Sequence, residues 1–178
     1  MRIVAPTLCF RLLSVLLVAV LAAPGMVRGQ ADVDWMKVNK EEKTVALNIV
    51  AGSTDAFNYW NFNGHAQGSA TITVPVGFTV NLDFTNNDPT MAHSIGVAPK
   101  MDTYPAMFEN PEPAFDGAIS SNPTDMMNAT KTGESEALSF VASEAGEYVL
   151  ICYVPGHAAV GMYVNFVVSA HGKAGVDL

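Results

Sequence analysis

Short segments in which apolar and polar residues alternate constrain the fold of this chain more than any other feature of its sequence. In "FTVNLDFTN" the polar positions separate four apolar ones, namely Phe78, Val80, Leu82 and Phe84. Successive side chains of a β-strand point to opposite faces, so this period of two indicates a strand with one buried face. The segments "EALSFVASEAG" and "MYVNFVVSA" repeat the alternation.

Turn-forming Gly, Pro and Asn residues separate these segments from five further strand candidates. They are "TVALNIVAG", "AFNYWNFNG", "SATITVPVG", "HSIGVAP" and "EYVLICYV". After residue 44 no segment has convincing helical periodicity over three turns. Many short strands separated by turns are typical of an antiparallel sandwich, so the sequence predicts an all-β domain of about eight strands.

The predicted domain covers residues 45–170 and contains one long insertion. Residues 99–133 carry five prolines and no clear strand alternation. A loop of this length inside a compact domain is usually functional or forms a local lid. A polar entry segment, residues 30–44, precedes the domain, and a short C-terminal tail, residues 171–178, follows it.

The first 29 residues have the pattern of a secretory signal peptide. Arg2 and Arg11 flank the start, "LLSVLLVAVLAA" is an unbroken apolar run, and "PGMVRGQA" supplies a helix breaker and small residues. Twelve apolar residues are short for a membrane span, which needs roughly 20. We therefore expect export to the periplasm or the extracellular face of the cell membrane. The alternative is an uncleaved N-terminal segment that associates with the membrane.

The charge that remains after residue 29 excludes one class of partner and favours another. Removing residues 1–29 takes away all three arginines and leaves six lysines against 17 acidic residues, a formal charge of −11. Phosphate binding needs clustered Lys and Arg, so nucleic acid is not expected as a partner. A negative field attracts cationic proteins, which favours a cationic partner. The alternative is adaptation to acid or salt, in which the acidic residues only maintain solubility.

Only one cysteine remains after residue 29, and it belongs to a group of possible metal ligands. Cys9 lies in the N-terminal segment, so Cys152 cannot form a disulfide within the exported chain. In "ICYVPGHAAVGMYV" Cys152 ends a predicted strand, His157 lies in the following loop, and Met162 begins the next strand. His93 in "NNDPTMAHSIGV" begins another predicted strand. Side chains at a strand end, a loop and two strand starts can converge on one point.

These four residue types are the ligands of one kind of metal site. Two His and one Cys in a trigonal arrangement, with a weak axial Met, form the site of electron-transfer copper proteins. Imidazole serves both Cu(I) and Cu(II), thiolate provides the electronic route to the metal, and a distant thioether favours the reduced state. The sequence therefore predicts one copper ion that alternates between Cu(I) and Cu(II), with His93, Cys152, His157 and Met162 as ligands.

The spacing of these residues resembles that of a known superfamily. Cys152-x₄-His157-x₄-Met162 with an upstream His is the pattern of the cupredoxins, the blue copper proteins. Together with "FNYWNFNG" and "NPT", the segment "ICYVPGHAAVGM" is most similar to the sulfocyanins, over residues 57–169. Rusticyanins and some auracyanins have a similar ligand spacing. The resemblance implies a cupredoxin-like Greek-key β-sandwich, with the ring edge of His157 at the surface among Ala158, Ala159 and Val160.

The resemblance also implies a function in electron transport. We expect a monomeric, exported carrier of single electrons between respiratory redox proteins, such as a cytochrome or a terminal oxidase. An enzyme is not expected, because the chain has four histidines, none in a His-x-His pair, too few for a multicopper oxidase. The alternative is a copper chaperone or storage protein that uses the same site and the methionines of the insertion. We expect those methionines, Met101, Met107, Met126 and Met127, to fill gaps by apolar contacts instead.

Overall fold

The computed structural model describes Met1 and residues 31–178. The signal peptide expected at residues 1–29 falls almost entirely outside the described residues. Within the described part of the chain, no helix is long and apolar enough to cross a membrane.

The described residues form nine strands and one short 3₁₀ segment at Ala56–Tyr59. The predicted all-β fold is confirmed, with nine strands against the expected eight. In chain order the strands are β1 (Met36–Asn39), β2 (Thr44–Ala51), β3 (Thr71–Pro75), β4 (Thr79–Asn86), β5 (Gly96–Pro99), β6 (Ser135–Val141), β7 (Gly146–Ile151), β8 (Tyr163–Ser169) and β9 (Gly175–Asp177).

The strands are divided between two sheets. One has the order β1-β2-β4-β6, and the other has the order β5-β7-β8-β3-β9. The expectation of a purely antiparallel sandwich is wrong at two pairings, because β2 pairs with β4 and β3 pairs with β8 in parallel. Parallel neighbours need a crossover connection, and here β3 supplies one, since it lies in the other sheet between β2 and β4 in sequence.

The core lies between the two sheets and contains the apolar residues that the alternation predicted to face inward. Leu82 and Phe84 on β4, Phe140 on β6 and Phe166 on β8 are all buried in one hydrophobic cluster. Intervening residues of β4 such as Asp83 are exposed. Each side chain of this size contributes roughly 1.5–3 kcal/mol when it is fully buried.

Three segments differ from their sequence-based interpretation. "AFNYWNFNG" is not a strand, because Phe57, Asn58 and Tyr59 have φ angles of 55°, 58° and 64°, which no strand can accommodate. Two strands were not predicted at all. The first, β1, lies in the expected entry segment, and the second, β9, lies in the expected tail. Both are only three or four residues long, too short for alternation to be recognised.

The long insertion has no regular strand between the end of β5 and the start of β6. Phe115 and Ala118 join the main core, while Tyr104 and Phe108 pack on a smaller cluster around Tyr153. The amide of Gly156, in the loop that follows β7, donates to the carbonyl of Ala106 at 2.7 Å. The insertion is therefore packed against the domain and bonded to the loop that contains His157.

Candidate metal centre

The register of the second sheet brings the predicted ligands to one edge. Gly96 of β5 pairs with Ile151 of β7, and Ile151 pairs with Tyr163 of β8. Cys152 and Met162 are the next residues beyond the Ile151–Tyr163 pair. His93 lies three residues before β5, at the same edge of the sheet. Three neighbouring strands therefore end or begin where these side chains meet.

Backbone hydrogen bonds fold the loop between Cys152 and Met162 back on itself. The amide of Cys152 donates to the carbonyl of Met162 at 3.1 Å, and the amide of Met162 donates to the carbonyl of His157 at 2.9 Å. Gly156 has a φ of 88°, a conformation that glycine adopts without steric cost. These bonds hold Cys152, His157 and Met162 in fixed relative positions.

Three potential ligand atoms form a small triangle inside the protein. Nδ1 of His93 and Nδ1 of His157 are 3.1 Å apart, and Sγ of Cys152 is 3.8 Å from the first and 3.4 Å from the second. A triangle with these edges has a circumradius of about 2.0 Å, close to the usual bond from a transition metal to imidazole nitrogen. All three residues are fully buried. The donor set therefore fits a single metal ion in trigonal coordination.

Burial favours the neutral form of each of these groups. Burial raises the pKa of the Cys152 thiol to about 11, although hydrogen bonds from Ser94 oppose the rise. Burial, together with the neighbouring His93, lowers the pKa of His157 to about 3. Burial also lowers the pKa of His93, although the contact with Asp88 opposes the change. A neutral ring offers a lone pair to a metal, whereas the thiol must release its proton on binding.

Asp88 orients the ring of His93. Its Oδ2 lies 2.8 Å from Nε2 of His93, so that nitrogen donates its hydrogen and Nδ1 is left with a lone pair toward Cys152 and His157. Its Oδ1 accepts hydrogen bonds from the amides of Thr90 and Met91 and from the Thr90 hydroxyl. Burial opposes ionisation of Asp88, but these bonds and the contact with His93 lower its pKa below the ordinary value.

Ser94 is not a predicted ligand, but it contacts the sulfur of Cys152. Its amide donates to Sγ at 3.4 Å, and its hydroxyl lies 3.7 Å from the same atom. The hydroxyl oxygen also accepts a hydrogen bond from the amide of Tyr153 at 2.9 Å. Two donors therefore face the sulfur, and outer contacts of this kind tune a bound metal.

Of the four predicted ligands, the structure brings His93, Cys152 and His157 together, with their ligand atoms within 4.8 Å of one another. Met162 is also fully buried and is joined to Cys152 and His157 by the backbone bonds described above. Its role as axial ligand stays a prediction. His65 is half-buried and His171 is exposed, and neither belongs to the cluster.

His157 is not at the surface, contrary to the expectation from the family resemblance. Its ring is fully buried, and the indole of Trp60 stacks on it with ring centroids 4.0 Å apart and an angle of 24° between the planes. The neighbouring Ala159 and Val160 are exposed, as expected, but Ala158 is buried. The left-handed conformation of residues 57–59 places Trp60 over the ring, and no alternation in the sequence indicates that conformation.

Sequence reasoning missed two residues of this site. Asp88 was counted only as one of many acids, although its position in the turn-rich "NNDPTMAHS", five residues before His93, could have indicated it. Trp60 was assigned to a strand and given no role at the site. The four methionines of the insertion are 52–74% exposed, so the expectation that they fill gaps is wrong.

Comparisons with known proteins agree with this geometry. Residues 31–175 match the sulfocyanin (SoxE) domain. The chain is 34% identical over 140 residues to sulfocyanin from Sulfolobus acidocaldarius, an alignment that covers 74% of this chain and 66% of that protein. It is 28% identical over 147 residues to rusticyanin from Acidithiobacillus ferrooxidans, covering 80% of this chain and 75% of that protein. The chain therefore spans just under two thirds of the length of that sulfocyanin.

A solved structure gives the same result for the fold. Rusticyanin from Thiobacillus ferrooxidans superposes with a TM-score of 0.51 at 27% identity, over 76% of this chain and 87% of that one. The predicted cupredoxin-like β-sandwich is thereby confirmed.

Proposed function

This chain belongs to the sulfocyanin family of blue copper proteins, with copper as its cofactor, and we propose that it is an exported carrier of single electrons. In this proposal one copper ion is held by His93, Cys152 and His157, with Met162 as the weak axial ligand. Copper supplies the one-electron couple, and the protein holds the ligands in one arrangement that both oxidation states tolerate.

The observation that carries the proposal is the buried triangle of ligand atoms. Its edges of 3.1, 3.4 and 3.8 Å leave room for a metal ion with little movement of the three side chains. Asp88 holds His93, Ser94 contacts Cys152, and the loop bonds hold His157 and Met162. A site that is already arranged for its metal needs little reorganisation when the charge changes, which favours fast electron transfer.

The burial of the site supports a carrier over an enzyme. His93, Cys152, His157 and Met162 are all fully buried, and a substrate that had to bind the metal would find no open position. Electrons can cross a layer of packed side chains, whereas a substrate molecule cannot.

The surroundings of the site and the charge of the chain suggest the partners. A protein with 17 acidic residues and few cations attracts positively charged surfaces at low ionic strength. We propose a cationic redox partner, such as a cytochrome or a terminal oxidase, at the periplasmic or extracellular face of the cell membrane. The protein acts as a monomer in this proposal.

A copper chaperone or storage protein is the second candidate. The exposed Met107 and Met127, at 70% and 74%, favour it, because thioethers bind Cu(I) and delivery proteins expose their ligands. The buried cluster disfavours it, since delivery requires a partner to reach the metal. A storage protein would bind more than one copper ion for each chain.

The test is the copper-loaded full chain and its Cys152→Ser variant. The wild type should bind one copper ion, show an intense visible charge-transfer band and undergo reversible one-electron reduction. Cys152→Ser should keep the fold and lose the band, because a hydroxyl oxygen cannot supply the copper–thiolate bond. Ser143→Ala, an exposed change remote from the site, is the control. A band that survives in Cys152→Ser, or a stoichiometry above one, would contradict the proposal.

A further inference from the structure

The ring of His157 has no path of its own to the solvent. It is fully buried, and its two ring contacts are His93 on the inner side, at 4.8 Å, and Trp60, at 4.0 Å. Trp60 is only partly buried, so it lies between His157 and the surface. A partner that docks over the site therefore meets Trp60 before it meets His157.

The backbone that holds Trp60 is conformationally costly. Phe57, Asn58 and Tyr59 are three consecutive residues with side chains in the left-handed region. Such residues cost roughly 1–2 kcal/mol each relative to the right-handed conformation. Phe57 gains little burial in return, because 48% of it is exposed. Strained backbone that the surroundings maintain is a frequent feature of functional sites.

The side chain of Asn61 maintains this conformation. It is fully buried, and its amide group donates to the carbonyls of Thr54 and Ala56 at 2.9 and 2.8 Å. Its carbonyl oxygen accepts a hydrogen bond from the amide of Gly64 at 3.0 Å. Its backbone carbonyl accepts the amide of Gly52, just after β2, at 3.0 Å. The turn is therefore fixed to the sandwich on both sides of Trp60.

The choice of tryptophan carries a second cost. Nε1 of Trp60 is buried and has no hydrogen-bond partner among the described residues. An unpaired buried donor costs roughly 1–3 kcal/mol. Phenylalanine would cover His157 without this cost, so coverage alone does not account for the indole. The large π-system in contact with His157 is what tryptophan adds.

We propose that Trp60, and not the edge of His157, is the group through which a redox partner exchanges electrons with the copper site. Phe57, three residues earlier and exposed, forms the adjoining apolar contact with that partner. The inference rests on the proposed function, because it assumes an electron carrier with His157 as a ligand. The partner is a one-electron redox protein with an apolar docking face, since aromatic side chains are enriched at the centre of such interfaces.

The transfer moves one electron and no proton. The electron donor is oxidised by one electron, and the acceptor is reduced by one electron. Trp60 has the same charge before and after the transfer. Electronic coupling falls exponentially with the distance between donor and acceptor. A stacked pair of rings at 4.0 Å extends the site toward the surface and shortens the gap that the electron must cross.

The decisive variant is Trp60→Leu, because two roles for Trp60 predict opposite signs. If Trp60 is the contact, the electron-transfer rate with a cytochrome and with a small ruthenium complex should fall at least about tenfold. Trp60→Phe, which keeps a smaller stacked ring, should give a rate between those of Trp60→Leu and the wild type. If Trp60 is only a shield, Trp60→Leu should expose His157 and leave the rate unchanged or raise it. Either of these results would overturn the inference.

Trp35→Leu is the matched control. Trp35 is also partly buried, and its carbonyl accepts the amide of Asn48 in the other sheet, away from the ligands. Its replacement should leave the transfer rate unchanged. Equal losses in Trp35→Leu and Trp60→Leu would show a general effect of losing a tryptophan and would overturn the inference.

A second measurement needs no copper. In NMR spectra of the metal-free full chain, addition of the cytochrome should shift or broaden the indole N–H of Trp60 and the ring protons of Phe57. The indole N–H of Trp35 should not change. Perturbation confined to Ala159 and Val160 would place the docking face elsewhere and would overturn the inference.

The two proposals fail in distinguishable ways. A wild type without a visible band or a reversible couple contradicts the electron-carrier function, and this inference falls with it. A blue, reversible wild type whose rate does not depend on Trp60 contradicts this inference alone.

Discussion

The loop that holds the predicted ligands and the loop that covers them are built on different principles. The ligand loop, residues 152–162, is organised by backbone hydrogen bonds and a glycine turn, and its residue types alone indicate that it can bind a metal. The cover loop, residues 52–65, is organised by one buried side chain, Asn61, and by left-handed backbone. Ligand types and spacing can therefore identify a metal site, whereas access to it depends on conformations that residue types do not indicate.

The largest expected effect is on the ligand loop: removing the metal should make the stability of the protein depend on pH through His157. Burial holds the pKa of His157 at about 3, far below its ordinary value of 6.5. Between pH 3 and pH 6.5, His157 therefore binds a proton in the unfolded chain but not in the folded one. The metal-free protein should be stable above pH 6.5 and should lose free energy of unfolding, on the order of a few kcal/mol, as the pH falls toward 3.

Chemical denaturation of the metal-free and copper-loaded proteins across this pH range measures the effect. The copper-loaded protein should depend much less on pH, because a coordinated nitrogen cannot take up a proton. Parallel pH profiles for the two forms would contradict the assignment of the lowered pKa to a metal ligand.

Asn61→Ala should damage the cover loop and spare the ligand loop. The change leaves two carbonyls and one amide without their partner, so the free energy of unfolding should fall by about 2–3 kcal/mol. The visible band of the copper-loaded protein should persist. Asn81→Ala, at an exposed position of β4, is the control and should change stability by less than about 0.5 kcal/mol. Loss of the band in Asn61→Ala would mean that the two loops are not independent.

Asp88→Asn should change the ligand side while the cover loop stays intact. The buried carboxylate stabilises the more positive, oxidised state of a metal bound to His93, and the amide oxygen of Asn can still accept its hydrogen bond. The reduction potential should rise on the order of 60 mV, the equivalent of a tenfold shift in a one-electron equilibrium. Voltammetry measures it, with Asp83→Asn at an exposed position as the control. A fall in potential would refute this role of the Asp88 charge.

Ser94→Ala should have the smallest effect. The hydroxyl lies 3.7 Å from the sulfur of Cys152, and a donor to the thiolate weakens its donation of charge to the metal. Its loss should lower the reduction potential on the order of 20–40 mV while the protein stays blue. The exposed Ser139→Ala is the control. Identical potentials for Ser94→Ala and the wild type would exclude the side chain and leave the Ser94 amide as the relevant donor.

The sequence predicted those parts of the molecule in which residue type alone carries the information. Apolar side chains such as Leu82 and Phe166 must be buried, so the pattern of apolar residues and turns located seven of the nine strands. Cys152, His157 and His93 are ligand types whose convergence follows from strand ends that share one edge. The ligand cluster could be predicted because its residue types indicate its chemistry and strand ends at one sheet edge indicate its position, although His93 is 59 residues from Cys152.

The remaining features depend on side-chain hydrogen bonds and on unusual backbone that residue types do not indicate. Asn61 fixes the cover loop through partners that are five to seven residues away, and the result is a left-handed turn that reads as an alternating strand in "AFNYWNFNG". The burial of His157 follows from that turn, so the resemblance to other cupredoxins wrongly predicted that His157 lies at the surface. The strands β1 and β9 were missed because four and three residues are too few for alternation to be recognised.

The hydrogen bond from Gly156 to Ala106 makes the insertion part of the scaffold of the metal site. These residues are 50 positions apart, so the ligand loop is not a self-contained module that could be transplanted by copying its sequence. A loop graft onto another sandwich would carry Cys152, His157 and Met162 but would lack the carbonyl that holds Gly156 in place. Protein engineers who wish to move this centre should therefore transfer the loop and the middle of the insertion as one unit.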